Sequence, residues 1–319
     1  NRMKGWLFSG TNIPLKLVEK EDPKATPGHV VIEVKAAGLC HSDVAALQDP
    51  GWMPLFPNGP VIMGHEFAGV VIEVGEGVTE LKVGDRVGVN PLDQETREAA
   101  GYNYDGGYAN LARVPAKNCV KLPDNVSFVE GAAATDAGLT SYRALFSIGQ
   151  AKPGMKVGII GVGGLGQFAV QMAMIKGCEV YAADVSEAAI KLAEELGCKK
   201  VYKTVLDMKE AECDVIVDFA GFGQTTSDAL EAVKPKGTVV VVGMGKLQAE
   251  VNTYLLITKE IRLLGSNGGT NEDLQGVYDC FATGKLKPQL NTISFEEIPE
   301  GLEKLKRHEV KGRLVAVFE

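Results

Sequence analysis

The sequence predicts an α/β chain in two parts, a β-rich part and a doubly wound parallel sheet. Short alternating apolar segments separated by turn residues run through the first 125 or so residues. From about residue 127, apolar strands alternate with helical stretches. At the head of that second region the apolar run Val157 to Ile160 ends in Gly161-x-Gly163-x-x-Gly166 and passes into Phe168, Ala169, Val170, Met172 and Ala173 at helical spacing.

In the first part, Val30-Val-Ile-Glu-Val-Lys-Ala, Val70-Val-Ile-Glu-Val-Gly and Val83-Gly-Asp-Arg-Val-Gly-Val each read as a short strand. Thr26-Pro-Gly, Gly59-Pro and Gly75-Glu-Gly supply turns, and the recurrence suggests a barrel-like or sandwich domain. Ser127 is placed to cap a helix with Glu130 as its capping-box partner. Helical patterns are expected over 139–148, 186–196, 224–233, 271–283 and 297–307. Strands are expected near Lys200 and over 214–220, 237–243 and 261–265, and a last strand, Arg313-Leu-Val-Ala-Val-Phe, closes the chain. Apolar strands between helices imply a parallel sheet covered on both faces.

The glycine motif has a physical purpose. The first glycine permits a tight turn, the second lets backbone approach a pyrophosphate, and the third lets helix pack on strand. A helix N-terminus then meets the phosphates with free N–H groups. Leu165 and Gly164 complete that loop. The next strand, Cys178-Glu-Val-Tyr-Ala-Ala, ends at Asp184, 18 positions beyond Gly166, where a carboxylate accepts from both ribose hydroxyls and repels a 2′-phosphate. No Arg or Lys follows until Lys191, so NAD is favoured over NADP.

Of 319 residues, 45% are hydrophobic and 23% charged, the composition of a globular protein of about two domains. A net charge of −8 argues against a nucleic-acid or anionic-membrane surface. No apolar run approaches the roughly 18 residues of a membrane helix. Asn1-Arg-Met-Lys is not followed by a signal-like apolar stretch. The six cysteines form no CxxC pair and read as free thiols, which points to the cytoplasm.

There are four histidines. Two stand in dense polar contexts, Gly38-Leu-Cys40-His41-Ser42-Asp43 and Gly64-His65-Glu66-Phe67-Ala68-Gly69, and a lone carboxylate, Asp136, lies in a run of alanines. Thiolate, imidazole and carboxylate would make a three-ligand zinc set with one open position. On spacing alone, with no short-range ligand pair, a buried free cysteine, a satisfied histidine and a capping aspartate are the more frequent account of the same residues.

The motifs Gly38-x-Cys40-His41-Ser42-Asp43, Gly64-His65-Glu66-Phe67-Ala68-Gly69, Val83-Gly84-Asp85-Arg86-Val87 and Gly161-Val-Gly-Gly-Leu-Gly166 resemble, in order and over nearly the whole chain, those of the zinc-dependent medium-chain alcohol dehydrogenases. The resemblance implies a GroES-like β-rich catalytic domain at 1–137 and 268–319 and a Rossmann NAD-binding domain at 138–267. It implies hydride transfer between NAD and a small alcohol or carbonyl substrate, with a tilt towards secondary alcohols, in a homodimer or homotetramer paired along the strand near Ile261. Cys40, His65 and Asp136 match the ligands of one catalytic zinc, Asp136 falling where most members carry cysteine. Glu66 matches a carboxylate near the zinc, Asp43 the acid that orients the ligating histidine, and Ser42 the hydroxyl that takes the alcohol proton. His41 and Arg313 match cationic contacts to the pyrophosphate, and Thr140 a contact near the nicotinamide.

Two departures are visible. The interval between Val89 and Gly106, where the family carries a four-cysteine lobe, has no cysteine, so no structural zinc is expected. Ala45 stands where some members have a proton-passing histidine. Two other readings are a zinc-independent quinone or enone reductase, against which Cys40 and His65 argue, and a dinucleotide-binding protein without turnover. Trp52, Met53, Leu55 and Phe56 are open between a substrate pocket and an apolar cluster under a Pro-rich loop. His29 and His308 read as solvated, and the cysteines other than Cys40 as packing residues.

Overall fold

The structure is a computed structural model that describes residues 1–318. The chain opens with β1 (Arg2–Phe8) and β2 (Lys16–Glu21), continues through β3 (His29–Leu39) into helix α1 (His41–Gln48), and then runs through β4 (Val61–Ile62), β5 (Glu66–Val74), β6 (Arg86–Val89), β7 (Leu111–Pro115), β8 (Cys119–Lys121) and α2 (Phe128–Ala133). The middle holds α3 (Leu139–Tyr142), β9 (Lys156–Ile160), α4 (Gly164–Ile175), β10 (Glu179–Ala183), α5 (Glu187–Glu195), β11 (Lys200–Tyr202), β12 (Val215–Asp218), α6 (Gln224–Ala232), β13 (Thr238–Val241), α7 (Thr253–Thr258), β14 (Arg262–Gly265) and α8 (Asn271–Ala282). The tail is β15 (Leu290–Ser294), α9 (Ile298–Lys306) and β16 (Arg313–Val317). Among the described residues no helix is long and apolar enough to cross a membrane.

Contacts divide the chain into two compact units, Asn1–Asp136 with Gln289–Glu319, and Ala137–Pro288. In the first unit, strands in the order β15-β16-β3-β5-β6-β8 form one sheet, with β7 also on β3. The long β3 serves as its spine because Val30, Val31, Ile32 and Val34 are all buried and can face apolar neighbours on either side. β16 pairs antiparallel with β3, from Leu314 on Leu39 to Val317 on Ala36, which ties the tail to the start of the chain. Strand β6 begins at Arg86 and not at Val83. Gly84 at φ +97° and the Lys82–Asp85 turn interrupt the alternation there, leaving Val83 63% exposed.

The second unit is a six-stranded sheet, all of whose pairs are parallel, in the order β11-β10-β9-β12-β13-β14. In chain order within the unit this is 3-2-1-4-5-6, the doubly wound dinucleotide-binding arrangement with its switch point between β9 and β12. Both faces are covered: Val157, Ile159, Val180 and Val217 pack on one side, and Ile160, Tyr181, Ile216 and Val239 on the other. Strand β14 is an edge of this sheet.

The expected division at residue 268 and the contact division after Pro288 differ by the segment that carries α8. That helix lies against α3 and α4. Gly276 abuts the Tyr142 ring so closely that a Cβ would come within 2.2 Å, and Phe281 meets Phe168 edge-on at 6.2 Å. Asp273, 3% exposed, is the buried polar anchor. It accepts hydrogen bonds from the Thr270 N–H at 2.9 Å, from Arg143 at 3.1 Å and from the Ser147 hydroxyl. Burial raises the Asp273 carboxyl, but Ser147, Thr270 and Arg143 outweigh it and hold it below the usual carboxylate range.

A carboxyl more acidic folded than unfolded stabilises fully above the ordinary carboxylate range, and that contribution is lost as pH falls through its depressed folded value. Asp273→Ala is expected to lower stability by about 3 kcal/mol at neutral pH and to flatten the acid limb of the stability curve. Urea denaturation across pH measures both, and an unchanged midpoint at neutral pH would contradict the assignment.

Candidate functional site

Cys40 stands at the junction of β3 and α1, in extended backbone at φ −125° and ψ 150°. Helix α1 turns away immediately and puts Asp43 in its first turn, where a carboxylate suits the helix dipole. His65 precedes the first residue of β5, Glu66, and Glu66 lies opposite Gly38 across the β3–β5 pair. A Cβ at Gly38 would meet the Glu66 carboxylate at 2.9 Å, so only glycine leaves that side chain its place. Asp136 sits on a π turn, Ala134–Gly138, directly after α2, whose start has the expected Ser127–Glu130 capping box. Single π turns are frequent at functional sites.

These elements bring Cys40, His65, Glu66 and Asp136 together, with all their ligating atoms within 4.8 Å of one another. Cys40 Sγ is 3.4 Å from Asp136 Oδ2, and His65 Nε2 is 3.8 Å from Asp136 Oδ2 and 3.5 Å from Glu66 Oε2. Ligands bound at about 2.0–2.3 Å to a tetrahedral ion stand roughly 3.3–3.8 Å apart, so the spacing suits such an ion. Asp43 Oδ1 faces His65 Nδ1 at 3.5 Å, and Arg313 pairs with Glu66 Oε1. Among the described residues, five buried atoms in this small volume have no hydrogen-bond partner: Ser42 Oγ, Asp43 Oδ1, His65 Nδ1, Glu66 Oε2 and Arg313 Nε.

The electrostatics agree with an ion site. Burial, with the Asp136 and Glu66 carboxylates beside it, pushes the Cys40 thiol up to about 11. Burial works against charge on His65, but Asp43 and Asp136 overcome it and hold the ring well above its ordinary value. Burial also raises Asp136, yet His65 and Arg313 bring it far below the usual range. The Glu66 carboxyl is raised, because burial exceeds the pull of Arg313. The donor set of sulfur, imidazole nitrogen and carboxylate oxygen is one that zinc accepts, and the orphaned acceptors supply the anionic surroundings that a cation needs.

The second candidate site is the loop from β9 to α4. Gly161 has φ +88°, and a Cβ on Gly166 would lie 2.0 Å from the Gly161 carbonyl oxygen. Gly163 and Gly164 have open space where a Cβ would stand. Asp184 closes the loop: its Oδ2 accepts the Val162 N–H and its Oδ1 the Ser186 N–H, each at 2.9 Å. The Ser141 hydroxyl donates to the Leu165 carbonyl at 2.9 Å, which fixes α3, the helix of Thr140, to the same loop. The loop is therefore a cradle of backbone N–H groups at the start of a helix of 12 residues, beside a carboxylate.

A family profile described as "Alcohol dehydrogenase GroES-like domain" matches residues 26–124, and one described as "Zinc-binding dehydrogenase" matches residues 164–283. The chain belongs to the zinc-type medium-chain alcohol dehydrogenases. An alcohol dehydrogenase of Geobacillus stearothermophilus is 36% identical over 340 aligned positions, covering 98% of each chain. Among solved structures, an acetophenone reductase from Geotrichum candidum in complex with NAD superposes with a TM-score of 0.83 at 33% identity, over 99% of this chain and 97% of that one. A cobalt- and zinc-bound thermostable alcohol dehydrogenase from Pyrobaculum aerophilum gives a TM-score of 0.83 at 29% identity, over 99% of this chain and 100% of that one.

In this member of the dehydrogenase family, the interval from Val89 to Gly106 is held by a polar turn. Asp93 Oδ1 accepts the N–H groups of Glu95 at 2.8 Å and Thr96 at 3.0 Å, and Lys117 reaches Asp93 Oδ2 at 3.2 Å. The loop delivers Tyr102 to the His65 ring, with centroids 5.7 Å apart. Phe56 is core, stacked between Phe8 and Tyr102, while Met53 and Leu55 are 38% and 50% exposed and Trp52 is half-buried. His308, read from sequence as solvated, is exposed but stands 5.9 Å from the His41 ring. Burial, His308 and Arg313 together lower the His41 pKa. Tyr102 and Tyr108 are the site residues that sequence reasoning missed. The pair Gly106-Gly107 before Tyr108, marking a close backbone approach, is the only signal that pointed there.

Gly166→Ala is expected to destabilise the protein by more than about 3 kcal/mol, because the Cβ collides with backbone that cannot yield. Gly164→Ala, at the first position of α4 and with room for a methyl, is expected to be neutral or to stabilise by about 0.5 kcal/mol. Thermal melts of the two variants check the contrast, and equal melting temperatures would refute it.

Proposed function

We propose that the protein is an NAD-dependent zinc alcohol dehydrogenase and carbonyl reductase that binds one catalytic zinc through Cys40, His65 and Asp136. The observation that carries this reading is the convergence of Cys40, His65, Glu66 and Asp136 within 4.8 Å. Zinc, when bound, polarises an alcohol or carbonyl oxygen, and the nicotinamide supplies or takes the hydride. Oxidation of an alcohol removes a hydride from carbon and a proton from oxygen. Ser42, whose buried hydroxyl has no hydrogen-bond partner, accepts that proton. Alanine at position 45 offers no side chain to take the proton onward, so the ribose of a bound cofactor and water would provide the route.

Asp43 holds the His65 ring so that Nε2 is the ligating nitrogen, a role suited to a carboxylate facing Nδ1. Glu66, with one oxygen on Arg313 and the other free, is the carboxylate that can approach the metal during ligand exchange. Arg313 would supply positive charge for the pyrophosphate, and His41, whose charged form burial, His308 and Arg313 disfavour, would serve as a ring N–H donor to it. Thr140 would contact the nicotinamide, and Gly161, Gly163, Gly164, Leu165 and Gly166 would form the phosphate cradle. Asp184 accepts from the adenosine ribose and disfavours a 2′-phosphate, which makes NAD the cofactor. A second, structural zinc is not part of this reading, since residues 89–106 hold no cysteine. The functional assembly is a homodimer or homotetramer joined through β14 and works in the cytoplasm. The oxygen ligand Asp136 leaves the metal more electrophilic than a second thiolate would, which suits secondary alcohols and ketones.

Elemental analysis of protein purified without chelator is expected to give about one zinc per chain. Cys40→Ala or His65→Ala is expected to empty the site and abolish alcohol oxidation with NAD; a variant that keeps full activity would sink the reading. Asp184→Ala is expected to raise KM for NAD by about tenfold to a hundredfold, the worth of a charge-assisted hydrogen bond or two, while KM for the alcohol changes little. Steady-state kinetics separate the two, and equal effects on both would contradict the ribose role.

A further inference from the structure

Asp43 is fully buried, and a carboxylate is tolerated there only if donors satisfy it. Its Oδ2 receives two, the Cys40 N–H at 3.2 Å and the Tyr108 hydroxyl at 2.6 Å. The second distance is that of a charge-assisted O–H···O⁻ bond. The same hydroxyl lies 3.3 Å from the Gly38 carbonyl oxygen. With Oδ2 occupied, Oδ1 is the oxygen left for His65 Nδ1. A carboxylate pinned in this way selects the imidazole tautomer with its proton on Nδ1 and its lone pair on Nε2.

Tyr108 is itself fixed. It is fully buried, its N–H donates to the Met63 carbonyl at 2.9 Å, and its own carbonyl accepts the Trp6 N–H at 2.8 Å. The Gly107 N–H donates to the Gly64 carbonyl at 2.8 Å. Gly64, at φ +103°, immediately precedes His65, and a Cβ there would come within 2.6 Å of the Tyr108 ring. Tyr108 thus grips both the backbone that leads into His65 and the carboxylate that faces its ring. Burial, reinforced by Asp43, holds the phenol well above its ordinary pKa, so it remains a donor.

We propose that Tyr108 is a positioning residue of the metal site, locking Asp43 so that His65 presents Nε2 to zinc. The inference rests on the zinc reading above. Tyr108→Phe keeps the ring and removes only the hydroxyl, so a packing role would survive it.

The test is the zinc affinity of the full chain, measured by competition with a chromogenic chelator, with NAD affinity as the check on folding. Tyr108→Phe is expected to weaken zinc binding about tenfold, at the low end for an outer partner of a ligating histidine, and to leave NAD affinity unchanged. In an Asp43→Asn background the same change is expected to add less than about twofold, because its route is already cut. Zinc affinity equal to wild type overturns the proposal, and so do losses that multiply fully in the double variant. Should Tyr108→Phe not fold, 3-fluorotyrosine at position 108 keeps the ring and strengthens the donor. A shift in zinc affinity then supports the proposal and no shift overturns it. A wild-type chain that binds no zinc overturns the functional reading and this inference together, whereas zinc-binding wild type with an unaffected Tyr108→Phe overturns only the role of Tyr108.

Discussion

Three carboxylates, a thiol and an imidazole converge on one small volume, where Arg313 and His65 are the only groups that bring positive charge among the residues named there. In a medium of low dielectric, negative groups so close together cannot all ionise unless something cationic joins them. The surrounding structure manages that repulsion. Arg313 takes one oxygen of Glu66, Tyr108 and the Cys40 N–H take one oxygen of Asp43, and the Cys40 thiol is pushed up to about 11 by burial and its acidic neighbours. A divalent ion inverts this logic, because each acceptor that is costly without it becomes a ligand or a neighbour of one.

The two candidate sites are made by different physical means. The first depends on side chains brought together from four distant points of the sequence by β3, β5, the π turn after α2 and β16. The second depends mostly on backbone, on the room left at Gly163 and Gly164 and on the close approach at Gly166. Asp184 belongs to both kinds of construction. Its carboxylate fastens the loop through Val162 and Ser186, so it shapes the candidate cradle from within the chain.

This difference explains what could be read in advance. A glycine loop and its acid are local patterns with a fixed spacing, and the parallel sheet announces itself as apolar runs between helices. Strands β9 to β14 therefore came out in order. The Cys40 to Asp43 stretch, the His65–Glu66 pair and Asp136 were visible as residue types, but their convergence was legible only through family resemblance, since 96 positions separate Cys40 from Asp136. Strands β1 and β2 and helix α1 were not foreseen, their patterns being too short or too weakly periodic. The role of Tyr108 was not legible, because its partner Asp43 is 65 positions away and the two glycines before it mark only a close backbone approach. The segment 268–288 was assigned by position along the chain, whereas Asp273 and Gly276 fasten it to α3 and its flank by contacts that no periodicity encodes.

The π turn at Ala134–Gly138 fits one more residue into its turn than an α-helix would. Each residue of an α-helix advances the azimuth by roughly 100°, so the bearing of the Asp136 carboxylate is a matter of chain length. A one-residue deletion between α2 and Asp136 would leave every candidate side chain in the sequence and still turn the Asp136 carboxylate away from Cys40 and His65. The chemistry of Asp136 is written in its side chain, but its address is written in an insertion.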